Sequence, residues 1–302
     1  MSVNPLKHLT LPALLTAGLL LSGCAAHTPG TVEPVQASTA ETCFPVDALP
    51  PAHRALADSI LTDGLDHEAL FSLMDGLKPM STLRHENHEV ARDPELPSGT
   101  RAVVPADDAA LDRMTKVAEV VRHLHCGPVR TVLVPLRRTP DGIRRVQLLA
   151  VHEDTFREVI ERDHTFWGQW GLGPETDPAT IITVVEFEES GARFRGYGYL
   201  FGYPEHAVTF FVEAAREQEE TGEFVERDFF QIPTHKAETG RFVYAVPVGH
   251  EPRPEDEAIR ERALDVLRAY REKRPAFERE DGSLRAVELL RAHHLRSQSG
   301  RR

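Results

Sequence analysis

Two stretches have residue types that suit metal ligation: His123-Leu124-His125-Cys126 and His85-Glu86-Asn87-His88. The first falls at the end of a predicted helix, where positions i, i+2 and i+3 do not all share a face. Histidine there also interacts favourably with the helix dipole, so capping and packing explain the cluster better than a metal ion does. The second lies in a polar stretch that reads as loop. The chain has no His-Glu-x-x-His helix, no Gly-x-Ser-x-Gly elbow and no phosphate loop ending in Gly-Lys-Ser/Thr. Its carboxylates are plentiful, but most of them, such as Glu217 to Glu220, fall on predicted exposed helix faces. No catalytic acid pair can be singled out, and no metal or cofactor is expected.

The most unusual local composition lies between Phe166 and Tyr203, which holds both tryptophans, Trp167 and Trp170, and the tyrosines Tyr197, Tyr199 and Tyr203. Read as a strand, Phe194 to Phe201 places Arg195, Tyr197, Tyr199 and Phe201 on one face and Phe194, Gly196, Gly198 and Leu200 on the other. Glycines inside a strand often mark close approach by another backbone or a ligand. Trp167, Trp170, Arg195, Tyr197, Tyr199, Tyr203 and His206 are therefore the candidate ligand-binding residues, suited to a sugar, a peptide or an apolar molecule. The opposing reading is a tight core in which the glycines make room for a helix. A rival, enzymatic reading is a hydrolase with its site near residues 164–206, using His164, Arg195, His206 and His235 as polar groups.

These residues must be positioned by elements that the patterning predicts. Pro50-Pro51 opens a helix stopped near Gly64, and Asp66 caps a second one carrying Leu70, Phe71, Leu73 and Met74. Residues 79–105 read as irregular. A helix with Leu111, Met114, Val117, Val121 and Leu124 on one side follows, stopped by Gly127-Pro128. Thr131 to Val134 and Val146 to Val151 form a hairpin through Thr139-Pro140-Asp141-Gly142. A helix over about 154–162 comes next. Strands are expected at 181–187, 194–201, 229–232 and 242–248, with helices opened by Pro204 and by Pro254. The pattern predicts an α+β fold, a largely antiparallel sheet of hairpins packed with several amphipathic helices. It fills one domain over residues 45–275, followed by a polar tail over 276–302 with a short helix.

The net charge of −12 argues against general nucleic-acid binding, which needs a basic footprint. It also disfavours electrostatic attachment to anionic lipid.

Near the N-terminus, an apolar stretch from Leu11 to Leu21 follows Lys7 and His8 and runs into Leu21-Ser22-Gly23-Cys24. It is too short to span a bilayer of ~30 Å and suits a signal-peptide h-region. Leu21-Ser22-Gly23-Cys24 resembles the lipobox of bacterial lipoproteins. That resemblance implies that residues 1–23 are removed and that Cys24 is acylated and becomes the new N-terminus. Residues 24–44 would then hold the lipidated cysteine and a flexible tether. The implied place is the cell envelope on the exported side, with Ala25 favouring the outer membrane where the host has one. The membrane would be one partner, through Cys24, alongside an unidentified envelope ligand or protein. With Cys24 consumed, Cys43 and Cys126 remain as either a disulfide or two buried thiols.

Asp75-Gly76-Leu77-Lys78-Pro79 and Leu200-Phe201-Gly202-Tyr203-Pro204 resemble paired segments of an uncharacterised bacterial domain family. That family has no established activity, so the resemblance lends no catalytic residue and marks Lys78, Tyr203 and Pro204 as framework or site positions. The sequence reading favours a non-catalytic ligand-binding, partner-binding or structural domain on a lipid anchor.

Overall fold

The computed structural model describes residues 42–92, 103–138 and 142–299. Cys24 and its flanks lie outside the described residues, as do Thr139 to Asp141 of the expected hairpin turn. The described residues form an α+β fold. Helices α1 (Pro51–Asp66) and α2 (Leu70–Leu73) precede a long strand, β1 (Met80–Arg92). Then come β2 (Val103–Pro105), α3 (Asp108–Val121), β3 (His125–Cys126), β4 (Val129–Pro135) and β5 (Ile143–His152). A helical run follows: α4 (Glu153–Arg162), α5 (His164–Gly168), α6 (Pro178–Phe187), α7 (Ser190–Leu200) and α8 (Glu205–Thr221). The chain closes with β6 (Asp228–Ile232), β7 (Phe242–Val246), α9 (Pro254–Lys273), a 3-10 turn over Arg274–Phe277 and α10 (Ala286–Ser299).

The main sheet has the order β2-β1-β5-β4-β3, with every pairing antiparallel. Strand β5 is its centre and is buried on both faces, which explains the nearly unbroken apolar run Leu148-Leu149-Ala150-Val151. Leu148 and Ala150 join a core shared with α1, α2, α3, α9 and α10. Leu149 and Val151 point into a second core built from α4, α5, α6 and α7. Helix α8 contributes Ala207 to the first core and Val208 to the second.

Three expectations are corrected. Residues 80–92 form β1 rather than loop, pairing with β5 from Met80↔Val151 to Glu89↔Ile143. Its outer half carries no apolar signature because His85, Asn87, Glu89 and Ala91 are exposed and alternate with half-buried neighbours. Residues 181–187 and 194–201 are helical, in α6 and α7. The Asp177 carboxylate accepts hydrogen bonds from the Ala179 and Thr180 N–H groups, and Pro178 occupies the first helical position. These start signals outweigh the β-branched Ile-Ile-Thr-Val-Val run, an apolar stretch too short for periodicity alone to assign. Finally, the domain extends past residue 275. Val287, Leu289 and Leu290 of α10 are buried in the first core, and Arg291 donates to the carbonyls of Cys43 at 2.9 Å and Phe44 at 2.6 Å.

A disulfide joins Cys43 to Cys126, 83 residues apart in sequence. It ties the first described residues to β3, where the Phe44 N–H also donates to the His125 carbonyl at 2.7 Å.

Candidate functional site

Helices α7 and α8 pack face to face because two glycines leave no side chain between them and their neighbours. A Cβ on Gly196 would lie 2.8 Å from Val185 Cγ2, and one on Gly198 would lie 2.7 Å from Val208 Cγ2. Helix α7 ends in a left-handed turn at Gly202 (φ +74°), where Tyr203 N–H donates to the Gly198 carbonyl and Gly202 N–H to the Tyr199 carbonyl. This pairing closes the helix C-terminus with its glycine at the one position that needs positive φ. A Cβ on Gly202 would come within 2.9 Å of Pro79 Cδ. The Gly-Leu-Lys-Pro and Phe-Gly-Tyr-Pro segments, more than a hundred residues apart in sequence, therefore meet in space.

Lys78 lies at that junction, fully buried. Its ammonium is 2.8 Å from Glu68 Oε2 and faces the rings of Phe242, Phe201 and Tyr203 at 4.3, 5.1 and 5.3 Å from their centroids. Burial pulls the Lys78 pKa down, against the opposing pull of Glu68.

Phe201 and Tyr203 also line a cleft of about 280 Å³ between α7, α8 and the β6–β7 hairpin. Phe194, Tyr197, Phe201, Tyr203, Ala207, Val208 and Phe211 line one wall, and Phe229, Val243, Tyr244 and Ala245 the other. The rings form a continuous series: Tyr197 stacks on Phe201 at 5.8 Å, Phe201 on Tyr203 at 5.8 Å, and Tyr203 meets Tyr244 at 5.4 Å. Such a lining is apolar with a few phenol hydroxyls, the usual make-up of a site for an apolar or aromatic molecule.

The sequence-derived residues divide. Tyr197 and Tyr203 line the cleft. The Tyr197 hydroxyl donates to Glu186 Oε2 at 2.6 Å and accepts from Gln147 at 3.2 Å, while Glu186 Oε1 accepts from the Arg137 N–H at 2.8 Å. Trp167, Trp170 and Tyr199 belong instead to the second core, packed edge-on around Phe166. Arg195 spans one helical turn to donate to the Tyr199 hydroxyl at 3.2 Å and pairs with Glu205. The strand-face platform of Arg195, Tyr197, Tyr199 and Phe201 therefore does not form. On a helix, Arg195 pairs with Tyr199 and Tyr197 pairs with Phe201. The proposed hydrolase set is scattered too. His164 sits exposed beside the Glu161 carbonyl, His235 packs edge-on against Tyr270, and His206 meets Asp256, while Arg195 pairs with Glu205 and Tyr199, so each has its own separate partners.

His206 belongs to a cluster that sequence reasoning missed. At the first turn of α9, the buried Asp256 carboxylate accepts from the Tyr244 hydroxyl at 2.6 Å and the Arg253 N–H at 2.8 Å. His250 Nε2 lies 2.9 Å from Asp256 Oδ2, and His206 Nε2 lies 3.2 Å from Oδ1. The two imidazoles stack at 5.2 Å. Burial by itself would raise the Asp256 pKa, but the hydrogen bonds from Tyr244, Arg253 and His250 outweigh it and hold the carboxyl below its usual range. Burial pushes the His206 pKa down and the Tyr244 pKa up, the latter helped by Asp256. The only local sequence signal for this cluster is His250 and Asp256 flanking the Pro254 helix start; nothing in the sequence links them to residue 206.

In His123-Leu124-His125-Cys126 the side chains serve the disulfide and the helix end. Cys126 is consumed in the disulfide, and His123 Nδ1 pairs with the Glu119 carbonyl at 2.9 Å at the helix end. Comparison of the sequence and fold with protein-family models, curated proteins and solved structures finds no match.

Proposed function

We propose that this is a lipid-anchored protein of the bacterial cell envelope whose folded domain binds an apolar or aromatic ligand, without catalysing its conversion, in the cleft between α7, α8 and the β6–β7 hairpin. Acylation at Cys24 holds it on the exported side of a membrane, the outer one where the host has two. The observation that carries the reading is the run of stacked rings from Tyr197 to Tyr244 lining one cleft of about 280 Å³. Phe229 at its rim is 54 % exposed, so the apolar lining continues out to solvent. Apolar surface kept open in this way favours ligand capture by burial, at ~25 cal/mol per Å² removed from water.

The test is a titration of the purified full chain with the apolar fluorescent probe N-phenyl-1-naphthylamine. Val243→Trp, which fills the cleft from a half-buried strand position, is expected to abolish the fluorescence rise while leaving the melting transition in place. Equal probe binding by the wild type and Val243→Trp would overturn the reading. The anchor is tested separately. Cys24→Ser is expected to release the chain from membranes, and retention of that variant after a high-salt wash would refute acylation at this position.

A further inference from the structure

We propose that His206, His250 and Asp256 form a site for a divalent transition-metal ion of the zinc class. Nothing in the ligand reading above requires it. The three side chains each offer a ligand atom, and those atoms lie within 4.8 Å of one another. A tetrahedral ion bound at ~2.0–2.2 Å to nitrogen and carboxylate oxygen needs ligand atoms about 3–3.5 Å apart. His250 Nε2 lies 2.9 Å from Asp256 Oδ2 and His206 Nε2 3.2 Å from Oδ1, close to that span, and with no pair of ligand atoms beyond 4.8 Å a modest inward shift of the rings would complete the set.

Burial points the same way. The side chains of His206 and His250 are 10 % and 7 % exposed, and that of Asp256 is fully buried. His206 Nε2 is buried and directs no hydrogen bond, although Asp256 Oδ1 is in range. A buried polar atom without a partner is uncommon in a folded chain. A cation at the Nε2 edges of the two rings, beside the Asp256 carboxylate, would satisfy it, because a metal takes the in-plane nitrogen lone pair where a neutral ring has no proton to give.

The surroundings supply the outer support that metal ligands generally have. The Tyr244 hydroxyl and the Arg253 N–H both donate to the Asp256 carboxylate and fix its orientation. The ligands are carried by the first turns of α8 and α9 and by the segment leading into α9. Two imidazoles and one carboxylate suit Zn²⁺, Co²⁺ or Fe²⁺, whereas Ca²⁺ and Mg²⁺ require oxygen ligands. Three protein ligands leave one position for water or a ligand atom. Tyr244 belongs both to this cluster and to the aromatic cleft, so an occupied site would sit beside the cleft wall.

The full chain, purified untagged in detergent and stripped with chelator, is titrated with Zn²⁺ against a chromophoric competitor. The expected result is one tightly bound Zn²⁺ per chain, weakened at least ~10-fold in His206→Gln and in His250→Gln and unchanged in His123→Gln. Zn²⁺ is also expected to raise the melting temperature of the wild type and not that of His206→Gln. His206→Gln and His250→Gln each keep a polar side chain at the site and are tested independently, so one variant keeps the test open if the other fails to fold. Absence of stoichiometric Zn²⁺ binding, or binding that persists unchanged in His206→Gln, overturns the proposal.

Discussion

Replacing Lys78 tests how the junction between the two motif segments is held. The ammonium is wholly buried, 2.8 Å from a Glu68 carboxylate that is 16 % exposed, with three aromatic rings within 5.3 Å. Lys78→Ala strands Glu68 and opens a void bounded by Phe201, Tyr203 and Phe242. Breaking a buried pair from one side typically costs about 3–5 kcal/mol. Loss of cation–π contacts pushes toward the upper end of that range. At a urea m-value of about 3 kcal/mol/M, the unfolding midpoint should fall by roughly 1–2 M.

Lys78→Met keeps most of the volume and still strands Glu68, so it should cost less than Lys78→Ala. The double variant Lys78→Met with Glu68→Gln should recover to within about 1 kcal/mol of wild type, because desolvation of a buried ion pair often cancels its attraction. The lowered Lys78 pKa, with burial as its main cause, points the same way. Trp167 is fully buried in the second core, so tryptophan fluorescence under urea reports the transition. A midpoint shift under ~0.3 M for Lys78→Ala, or a double variant as unstable as Lys78→Ala, would refute the account of a paired, desolvated cation.

Removing the Cys43–Cys126 bond with a double Cys→Ala change should lower stability by about 4–5 kcal/mol in the chain-entropy model for its 83-residue separation, measured by urea unfolding without reductant. His294 donates from Nε2 to the Leu73 carbonyl, and burial, reinforced by His293, His152 and Lys273, lowers its pKa to about 4. Between pH 6.5 and 4 the unfolded chain therefore binds the extra proton, so this contribution is complete above pH 6.5 and lost as pH falls toward 4. Comparing wild type with His294→Gln at pH 7 and pH 4 should show the variant losing roughly 3 kcal/mol less, and parallel pH profiles would refute the assignment. Gly198→Ala should destabilise by about 1–2 kcal/mol, because the gain in helix propensity is smaller than the cost of pressing a methyl against Val208 Cγ2. A variant more stable than wild type in thermal melts would contradict that close packing.

Elements with explicit start and stop chemistry are legible in the sequence. The helices opened by Pro51, Pro204 and Pro254 and the strand pair β6–β7 lie within a few residues of their expected places. Legibility fails where residue type does not follow burial. The run Ile181-Ile182-Thr183-Val184-Val185 offers no polar face to reveal a helical period, and its β-branched residues favour the strand reading until the Asp177 cap is weighed. Strand β1 fails in the opposite way. Residues 85–91 are polar because they run past the core, and only the pairing with β5 makes them a strand. The two errors have one origin, since hydrophobic periodicity is read from side-chain type and is silent where type does not follow burial.

The candidate site fails to show itself for a different reason, which is distance along the chain. Tyr203 was visible as an unusual aromatic and Lys78 as part of a motif-like segment, yet neither position predicts that Gly202 rests on Pro79. That contact requires a glycine for two independent reasons, its positive φ and the 2.9 Å approach. It brings Lys78 within 5.3 Å of the Phe201 and Tyr203 rings, two of the rings that line the cleft. The aromatic wall therefore rests on a buried cation, and Tyr244 opposite is fixed by Asp256 through a hydrogen bond of 2.6 Å. Both walls are held by charged groups that do not line the cleft, which leaves the lining apolar while restraining its rings. A cleft built to be filled by a structural side chain needs no such restraint, because packing alone sets its rotamers. Rings restrained in this way would give the proposed binding of a separate apolar molecule its preorganisation.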